Sequence, residues 1–254
     1  MNIGIIPARM ASSSFPGKPL EKICSIPMIG HVYFRSKMCK NLDDVYIATC
    51  DREIVDYAQS IGAKAIMTSD KHQRASDRTA EAMLKIEKLA RKRTKIVVMI
   101  QGDEPMITPD MIDTAINSIA RDNKVFVSNL MAALKNKEEQ ADPHEIKVVV
   151  DLNGFALYFS REPIPSCKKA DKEVPVYNQV CIIPFKRDFL IKFNQIKPTP
   201  LEIAESIDML RVLEHGYKVK MVLSKKSTYS VDTPADIKKV NLLMQSDKLI
   251  NKYK

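Results

Sequence analysis

A short apolar run ends abruptly in a carboxylate near the middle of the chain. Residues 98–105 read Val-Met-Ile-Gln-Gly-Asp-Glu-Pro, so a strand-like segment leads directly into Asp103. A run of this kind, closed by turn residues, is typical of a core strand in a parallel sheet, and ligands of open α/β sheets bind just beyond such strand ends. Because a carboxylate is costly to bury alone, the pattern predicts a metal ion or a cationic partner for Asp103.

Strand-like and helix-like patterns alternate through the first half of the chain. That order predicts βαβ units with right-handed crossovers, and therefore an α/β fold with a largely parallel sheet. The pattern predicts strands at 2–7, 44–49, 63–67, 95–100 and 124–130, and helices near 28–40, 52–61, 76–91 and 109–121.

The pattern changes after residue 131, where shorter strands dominate. Asn153-Gly154 lies between two of them and is a type I′ hairpin signature. We interpret this part as an excursion from one domain that later returns to the sheet. The pattern predicts strands at 146–151, 154–159, 179–184 and 218–223, and helices at 200–215 and from about 234.

Composition excludes several classes of protein. No run of 18 apolar residues is present and the N-terminus lacks a basic region and a cleavage site, so we expect a cytoplasmic protein with no membrane partner. The five cysteines are widely spaced, which favours a reduced protein over a disulfide framework.

The net charge of +9 comes mainly from scattered lysines, which number 29 against 11 arginines, and Trp is absent. We therefore expect no nucleic-acid partner. A polyanionic small substrate, such as a nucleoside triphosphate, suits the same charge.

The segment 7–19 follows the first predicted strand. It reads Pro-Ala-Arg-Met-Ala-Ser-Ser-Ser-Phe-Pro-Gly-Lys-Pro, in which serines and backbone N–H groups can hold phosphate oxygens and Arg9 and Lys18 supply cations. It matches neither a Walker loop nor a dinucleotide fingerprint. A surface loop with two solvated cations remains the alternative.

A second carboxylate precedes the last predicted helix. Asp232 stands in Ser-Val-Asp-Thr-Pro-Ala-Asp, where Thr233 suits an N-cap followed by Pro at the first helical position. Taken singly, Asp103 and Asp232 are also explained as acids at helix starts. Together, two carboxylates at two strand ends favour a Mg²⁺ site that phosphate oxygens and water would complete. Arg78, in His-Gln-Arg-Ala-Ser-Asp-Arg, suits a nucleotide contact or a capping turn with solvated arginines.

These segments resemble one family in content and in order. Pro-Ala-Arg…Pro-Gly-Lys-Pro-Leu, His-Gln…Ser-Asp-Arg, Gln-Gly-Asp-Glu-Pro, Leu-Tyr-Phe-Ser-Arg, Pro-Leu-Glu…Glu, Leu-Arg and Val-Asp-Thr-Pro occur here as in CMP-Kdo synthetases, the 3-deoxy-manno-octulosonate cytidylyltransferases. The resemblance implies a Rossmann-like nucleotide-diphospho-sugar transferase fold and a homodimer. It also implies a Mg²⁺-dependent reaction in which CTP and an acidic sugar, an ulosonic acid, give a CMP-sugar and pyrophosphate.

The resemblance also implies roles for individual residues and for parts of the chain. Together with the change of pattern after residue 131, it divides the single domain 1–254 into a nucleotide-binding half at about 1–131, a sugar-binding and dimerisation part at about 132–215, and a return to the sheet with a C-terminal helix at 216–254. Implied catalytic residues are Asp103, Lys18 and Arg9; nucleotide ligands are Arg9, Ser14, Lys18, Arg78 and Gln101; magnesium ligands are Asp103 and Asp232; and sugar ligands are Arg161, Gln179, Glu202 and Met209.

The chain departs from the family pattern mainly in the sugar-binding part. Ser14 replaces a usual arginine, Gln179, Cys181 and Ile183 replace the pattern His-x-Gly-x-Tyr, and Met209 replaces a usual Gln. Because hydroxyls left without partners in a desolvated pocket cost free energy, these changes predict that an amino, acylamino or deoxy analogue is a better substrate than Kdo itself. Activation of a nonulosonic acid and a non-catalytic nucleotide-binding role are the alternative functions.

Overall fold

The computed structural model describes residues 1–11, 15–169 and 174–254. The chain divides into two compact units, of which unit 1 comprises residues 1–113 and 228–254 and unit 2 comprises residues 114–227. Strands at 128–133 and 220–223 lie side by side in the sheet of unit 2, so this unit begins before residue 131 and ends after residue 216. The division into nucleotide-binding and sugar-binding parts stays a prediction.

The elements follow one another closely along the chain. In the first segment of unit 1 they are Asn2–Pro7 (β1), a 3₁₀ turn at Lys18–Leu20, Lys22–Ile23 (β2), Ile26–Pro27 (β3), Met28–Lys37 (α1), Asp44–Thr49 (β4), Arg52–Ser60 (α2), Lys64–Met67 (β5), Ala75–Ala90 (α3) and Ile96–Ile100 (β6), and Pro109–Ala120 (α4) contains the boundary. In unit 2 they are Ser128–Ala133 (β7), Lys137–Ala141 (α5), Lys147–Val150 (β8), Ala156–Ser160 (β9), Tyr177–Val180 (β10), Ile182–Lys186 (β11), Arg187–Gln195 (α6), Pro200–Glu205 (α7), Asp208–Glu214 (α8) and Lys220–Leu223 (β12). Unit 1 ends with Pro234–Gln245 (α9) and a 3₁₀ turn at Ile250–Lys252.

A parallel sheet organises unit 1. Its strands lie in the order β6-β1-β4-β5, and each adjacent pair is parallel, as the sequence predicts. Every residue of β6 is buried, which explains why that strand is apolar throughout rather than alternating. Because all four strands point the same way, the segments that follow β1, β4 and β6 emerge at one edge of the sheet.

Unit 2 contains a mixed sheet in the order β12-β7-β10-β8-β9. Strands β12 and β7 are parallel, and the remaining pairs are antiparallel. The helix predicted at 200–215 is two helices, since Ser206 takes a left-handed conformation with φ of 56° and ends α7. The predicted strand at 179–184 is likewise two strands, β10 and β11. Helix α6, which buries Phe189, Leu190 and Phe193, was not predicted.

The predicted type I′ turn at Asn153-Gly154 is wrong. A type I′ turn needs positive φ at both central residues, whereas only Gly154 of this pair has it, at 73°. The Gly154 N–H instead donates to the carbonyl of Asp151 at 2.9 Å, and the Asp151 carboxylate accepts from the N–H groups of Asn153 and Phe155. A two-residue turn with both φ angles positive occurs at Cys24-Ser25, between β2 and β3, at 48° and 73°.

In the described part of the chain, no helix combines the length and the apolar character that crossing a bilayer requires.

Asp44 joins the end of α1 to the start of β4 and β5. Its carboxylate accepts hydrogen bonds from Lys37 Nζ and the Val45 N–H, at 2.8 and 2.9 Å, and from Lys64 Nζ. Partial burial of Asp44 opposes ionisation, but the Lys37, Lys64 and Val45 donors outweigh it and lower the pKa of Asp44 to about 2. A carboxyl pKa below its unfolded value stabilises the protein at neutral pH, and that contribution disappears as the pH falls through about 2.

We therefore expect Asp44→Asn to lower the free energy of unfolding at pH 7 by about 1–2 kcal/mol, a range that allows for solvent screening of the two lysines. The difference from wild type should shrink between pH about 4 and about 2. Urea unfolding across this pH range measures it. Asp56→Asn, which removes only an exposed pair with Arg52, is the matched control and should change stability by no more than about 0.5 kcal/mol. If the free energy of unfolding of Asp44→Asn differed from that of wild type by the same amount down to pH about 2, the lowered pKa of Asp44 would be contradicted.

Candidate active site

A cleft of about 250 Å³ opens in unit 1 where β1 and β6 end. Its walls include the first residues after β1 and β6 and the segment that leads into α3. Five of the predicted site residues line it: Arg9, Lys18, Arg78, Gln101 and Asp103. The parallel sheet explains this convergence, because it delivers the loops after separate strands to one edge.

Lys18 bridges the two carboxylates that the sequence singled out. Its Nζ lies 2.7 Å from Asp103 Oδ2 and 3.3 Å from Asp232 Oδ1, and it also donates to the carbonyl oxygen of Val231 at 2.9 Å. Burial of Lys18 disfavours its charge, but the adjacent Asp103 and Asp232 outweigh that effect and raise the pKa of the ammonium. Asp103 and Asp232 are therefore held together by one cation, although they are far apart in the sequence.

Local backbone structure presents Lys18 at this point. Gly17 has φ of 79°, a conformation that costs glycine little, and its N–H donates to the Met10 carbonyl at 2.9 Å. Lys18 then begins a short 3₁₀ turn in which Pro19 is buried. The backbone of Gly17 is thus bonded to that of Met10 directly before Lys18.

The segments that carry Asp103 and Asp232 are joined through their backbones. The Val231 N–H donates to the Asp103 carbonyl at 2.9 Å. Thr233 caps α9 and forms a capping box with Asp236, which confirms the predicted N-cap with Pro234 after it. Because Thr233 and Asp236 satisfy the helix terminus, the Asp232 carboxylate is not needed as a cap, and its Oδ1 contacts Lys18 instead.

Arg9 and Gln101 reach the cleft differently from Lys18. Arg9 is exposed, whereas Gln101 is partly buried directly after β6. Ser14 lies outside the described residues. An exposed arginine at the mouth of the cleft suits a phosphate contact.

Arg78 is buried, so its interpretation as a solvated arginine is wrong. It is 3% exposed, and its guanidinium donates to Thr68 Oγ1 and to Cys50 Sγ. Thr68 and Cys50 follow β5 and β4, so the ends of two further strands hold this side chain at the cleft wall. No motif in the sequence pointed to Thr68 or Cys50.

Glu81 on α3 supports the loop before that helix. It accepts hydrogen bonds from Lys85 Nζ at 2.7 Å, from the Ser69 N–H at 3.0 Å and from His72 Nε2. Burial alone would raise the pKa of Glu81, but the Lys85, Ser69 and His72 contacts lower it to about 2. Since His72 lines the cleft, Glu81 is a supporting residue that sequence analysis missed. In the sequence, the feature that marks Glu81 is Lys85 four residues later, a spacing that favours an ion pair on one face of a helix.

In unit 2, Arg161 and Gln179 belong to hydrogen-bonded networks. Arg161 donates through Nε to the Glu205 carbonyl and through Nη1 to the Pro143 carbonyl, both at 2.8 Å. The Glu205 carboxylate accepts from the Arg161 N–H. Gln179 is 8% exposed, and its Nε2 donates to Asn129 Oδ1. The roles of Arg161 and Gln179 as sugar ligands stay predictions.

Glu202 and Met209 lie in the interior of unit 2. Glu202 is fully buried and forms a two-point ion pair with Arg211, with Nε–Oε2 and Nη2–Oε1 distances of 2.7 and 2.5 Å. Met209 is also fully buried, and Ile183 is 2% exposed. The expected preference for a modified acceptor needed Met209 and Ile183 to face a ligand pocket, and their burial does not support that premise.

The Asp103–Asp232 pair suits a magnesium ion. Oxygens from both carboxylates lie within 3.3 Å of the same Lys18 nitrogen, so both already point at one position. Mg²⁺ is commonly held by one or two carboxylates together with substrate phosphates and waters. Among residues 1–11, 15–169 and 174–254, no cluster of three or more His, Cys, Asp or Glu side chains forms a more complete metal-binding set.

Comparisons with known proteins identify the family to which the chain belongs. A family model described as Cytidylyltransferase matches residues 3–226. A 3-deoxy-manno-octulosonate cytidylyltransferase of Geotalea uraniireducens is 39% identical over 246 residues, covering 93% of this chain and 96% of that protein. The mitochondrial 3-deoxy-manno-octulosonate cytidylyltransferase of Arabidopsis thaliana is 40% identical, covering 96% and 83%. This chain belongs to the CMP-Kdo synthetase family.

A solved structure extends the comparison to the fold. CMP:2-keto-3-deoxy-manno-octonic acid synthetase complexed with CTP matches with a TM-score of 0.87 and 38% identity, over 96% of this chain and 98% of that one. The predicted membership of the CMP-Kdo synthetase family and the predicted fold are both confirmed. The chain is a nucleotidyltransferase enzyme, and the non-catalytic alternative is not favoured.

The Glu202–Arg211 pair gives a test that separates packing from sugar binding. Breaking a buried ion pair leaves one charge unpaired, so we expect Glu202→Gln to lower the free energy of unfolding by about 3 kcal/mol. The KM for the sugar acid should stay unchanged at a temperature where the variant is folded. Glu138→Gln, at an exposed position on α5, is the control for loss of a surface charge. A raised KM with unchanged stability would instead support the sequence-based role of Glu202 as a sugar ligand.

Proposed function

We propose that this enzyme transfers the CMP group of CTP to 3-deoxy-manno-octulosonate (Kdo) and releases pyrophosphate, with Mg²⁺ as its cofactor. The observation that carries the proposal is the cluster of Lys18, Asp103 and Asp232 at a cleft lined by Arg9 and Arg78. Cations and paired carboxylates in one place are the groups that phosphoryl-transfer chemistry needs. The names of the relatives in Geotalea uraniireducens and Arabidopsis thaliana support Kdo as the acceptor.

The nucleotide is proposed to bind in the cleft of unit 1. Arg9 and Lys18 would hold its phosphates, and Arg78 and Gln101 would contact the nucleotide from the cleft wall. The CTP complex of the solved synthetase supports CTP as the nucleotide. In this scheme the protein contributes mainly by positioning the α-phosphate and neutralising its charge.

Asp103 and Asp232 are the proposed ligands of the metal ion. When bound, Mg²⁺ would polarise the attacking anomeric hydroxyl and offset charge on the pyrophosphate leaving group. The residues of the chain have separate tasks, since the carboxylates fix the ion and Lys18 and Arg9 neutralise the phosphate oxygens. No histidine is needed as a base.

Kdo itself, rather than a modified ulosonic acid, is the proposed acceptor. Arg161 remains the proposed partner of its carboxylate, because two of its guanidinium donors are fixed on the carbonyls of Glu205 and Pro143 and orient the group. The homodimer implied by the family resemblance is part of the same proposal.

Loss of either metal carboxylate should abolish most of the activity. We expect Asp103→Asn and Asp232→Asn each to reduce kcat by on the order of 10²-fold or more, because one ligand of a charge-neutralising ion is lost. Pyrophosphate release with CTP, Kdo and Mg²⁺ measures kcat, and thermal unfolding checks that each variant is folded. Asp56→Asn on exposed α2 is the control. Near-normal kcat in both variants would remove the metal assignment.

A substrate panel tests the proposed function as a whole. Pyrophosphate release should be fastest with CTP and Kdo, and at equal concentration ATP and GTP should react at least about 10-fold more slowly, since a pocket shaped for a pyrimidine excludes the larger purine. The same assay should include amino and deoxy analogues of Kdo and a nonulosonic acid. Equal rates with ATP would contradict the nucleotide assignment, and a higher kcat/KM for any analogue than for Kdo would contradict the acceptor.

A further inference from the structure

The hydrogen bonds of Lys18 use its entire donor capacity. A lysine ammonium has three N–H donors and no acceptor. The Nζ of Lys18 has three acceptors, namely Asp103 Oδ2 at 2.7 Å, the Val231 carbonyl at 2.9 Å and Asp232 Oδ1 at 3.3 Å. Lys18 therefore cannot donate to a phosphate without giving up at least one of these bonds.

The same two carboxylates are proposed to bind the metal ion. An ammonium and a divalent cation on one pair of carboxylates repel each other, and this repulsion is strong where water is largely excluded. The Lys18 side chain is 14% exposed and the Asp103 and Asp232 side chains are 19% and 27% exposed, so the cluster is mostly desolvated. A metal ion on these carboxylates would therefore compete with the Lys18 ammonium.

The local structure allows the ammonium to move while its backbone stays in place. The turn at Gly17 and the buried Pro19 fix the backbone on both sides of Lys18. The lysine side chain is a flexible four-carbon stem that carries a compact charge. Moving the ammonium from the carboxylates into the adjoining cleft, which Lys18 also lines, needs only side-chain rotation.

We propose that Lys18 is an exchangeable counter-ion of the metal site. In the free enzyme it holds Asp103 and Asp232 together, and when a nucleoside triphosphate enters, the ammonium moves to the phosphates and the carboxylates become available to the metal ion. This inference rests on the proposed function, because it needs a triphosphate and a metal ion in the cleft. It goes further in predicting the order of events: the metal binds weakly alone and tightly together with the nucleotide.

Titration of the metal-free protein with Mn²⁺, in the absence of nucleotide, tests the proposal. Lys18→Met removes the competing charge, so Mn²⁺ should bind about 10-fold or more tightly than to wild type, equivalent to about 1.4 kcal/mol. Lys18→Arg keeps the charge and should bind Mn²⁺ as weakly as wild type. Lys22→Met, at an exposed lysine nearby, should not differ from wild type. The double variant Lys18→Met/Asp103→Asn should lose the increase in Mn²⁺ affinity, because it lacks one of the proposed metal ligands.

Thermal unfolding provides a second measurement that does not depend on activity. Without its ammonium, Lys18→Met leaves two carboxylates unpaired, so its Tm should fall in the presence of a chelator and rise again with Mn²⁺, whereas the Tm of wild type should change little with Mn²⁺. Folding of Lys18→Met only when Mn²⁺ is present would support the proposal equally.

Two results would overturn the exchange. One is a Mn²⁺ affinity of Lys18→Met equal to or below that of wild type. The other is a Mn²⁺ affinity of Lys18→Arg that rises above wild type as much as that of Lys18→Met. Neither result depends on turnover. A failure of wild type to release pyrophosphate from CTP and Kdo would instead overturn the proposed function while leaving the Mn²⁺ titration interpretable.

Discussion

The ion-paired cluster of Lys18 with Asp103 and Asp232 is the constraint on which unit 1 depends. Its members come from the loop after β1, the end of β6 and the segment before α9, so it joins the beginning, middle and end of the chain. Two carboxylates that share one ammonium would repel each other without that cation. The ammonium therefore serves the fold as well as the proposed chemistry.

A small apolar core includes Val231, whose carbonyl accepts a hydrogen bond from Lys18. It packs the β2–β3 hairpin against α9 and the C-terminal turn, and its fully or nearly fully buried members are Ile23, Met28, Val231, Val240, Met244 and Ile250. Asn241 Oδ1 accepts the N–H of Cys24 at 2.7 Å, which stabilises a turn residue with positive φ. Arg35, fully buried on α1, donates to Asp247 and Tyr253 beyond the end of α9. The helix that follows Asp232 is thus anchored along its length.

Two polar residues of unit 2 that the sequence connects with the sugar are bonded to other side chains of the protein. Glu202 occurs in a segment that the family resemblance connects with the sugar, yet Arg211 binds both of its oxygens in the interior. Gln179 likewise bonds with Asn129 within the β-sheet region. Buried polar groups need partners, and a motif does not reveal whether the partner is a ligand or another side chain.

Much of unit 1 could be predicted from sequence because its signals are local. Apolar runs such as Ile96–Ile100 determine the parallel strands, and Thr233 with Pro234 determines the start of α9. The turn at Cys24-Ser25 was missed because neither residue favours positive φ, and the break at Ser206 was missed for the same reason.

The sequence by itself determined which side chains stand at the ends of strands, and therefore which carboxylates and cations could share a site. Only the tertiary structure decided that the Lys18 ammonium lies between Asp103 and Asp232, that Arg78 is held by Thr68 and Cys50, and that Val231 contributes a carbonyl. The physical reason is that these contacts join different segments of the chain, in most cases far apart in sequence. Their geometry follows from sheet register and from a backbone oxygen that every residue possesses, neither of which leaves a local signal in sequence.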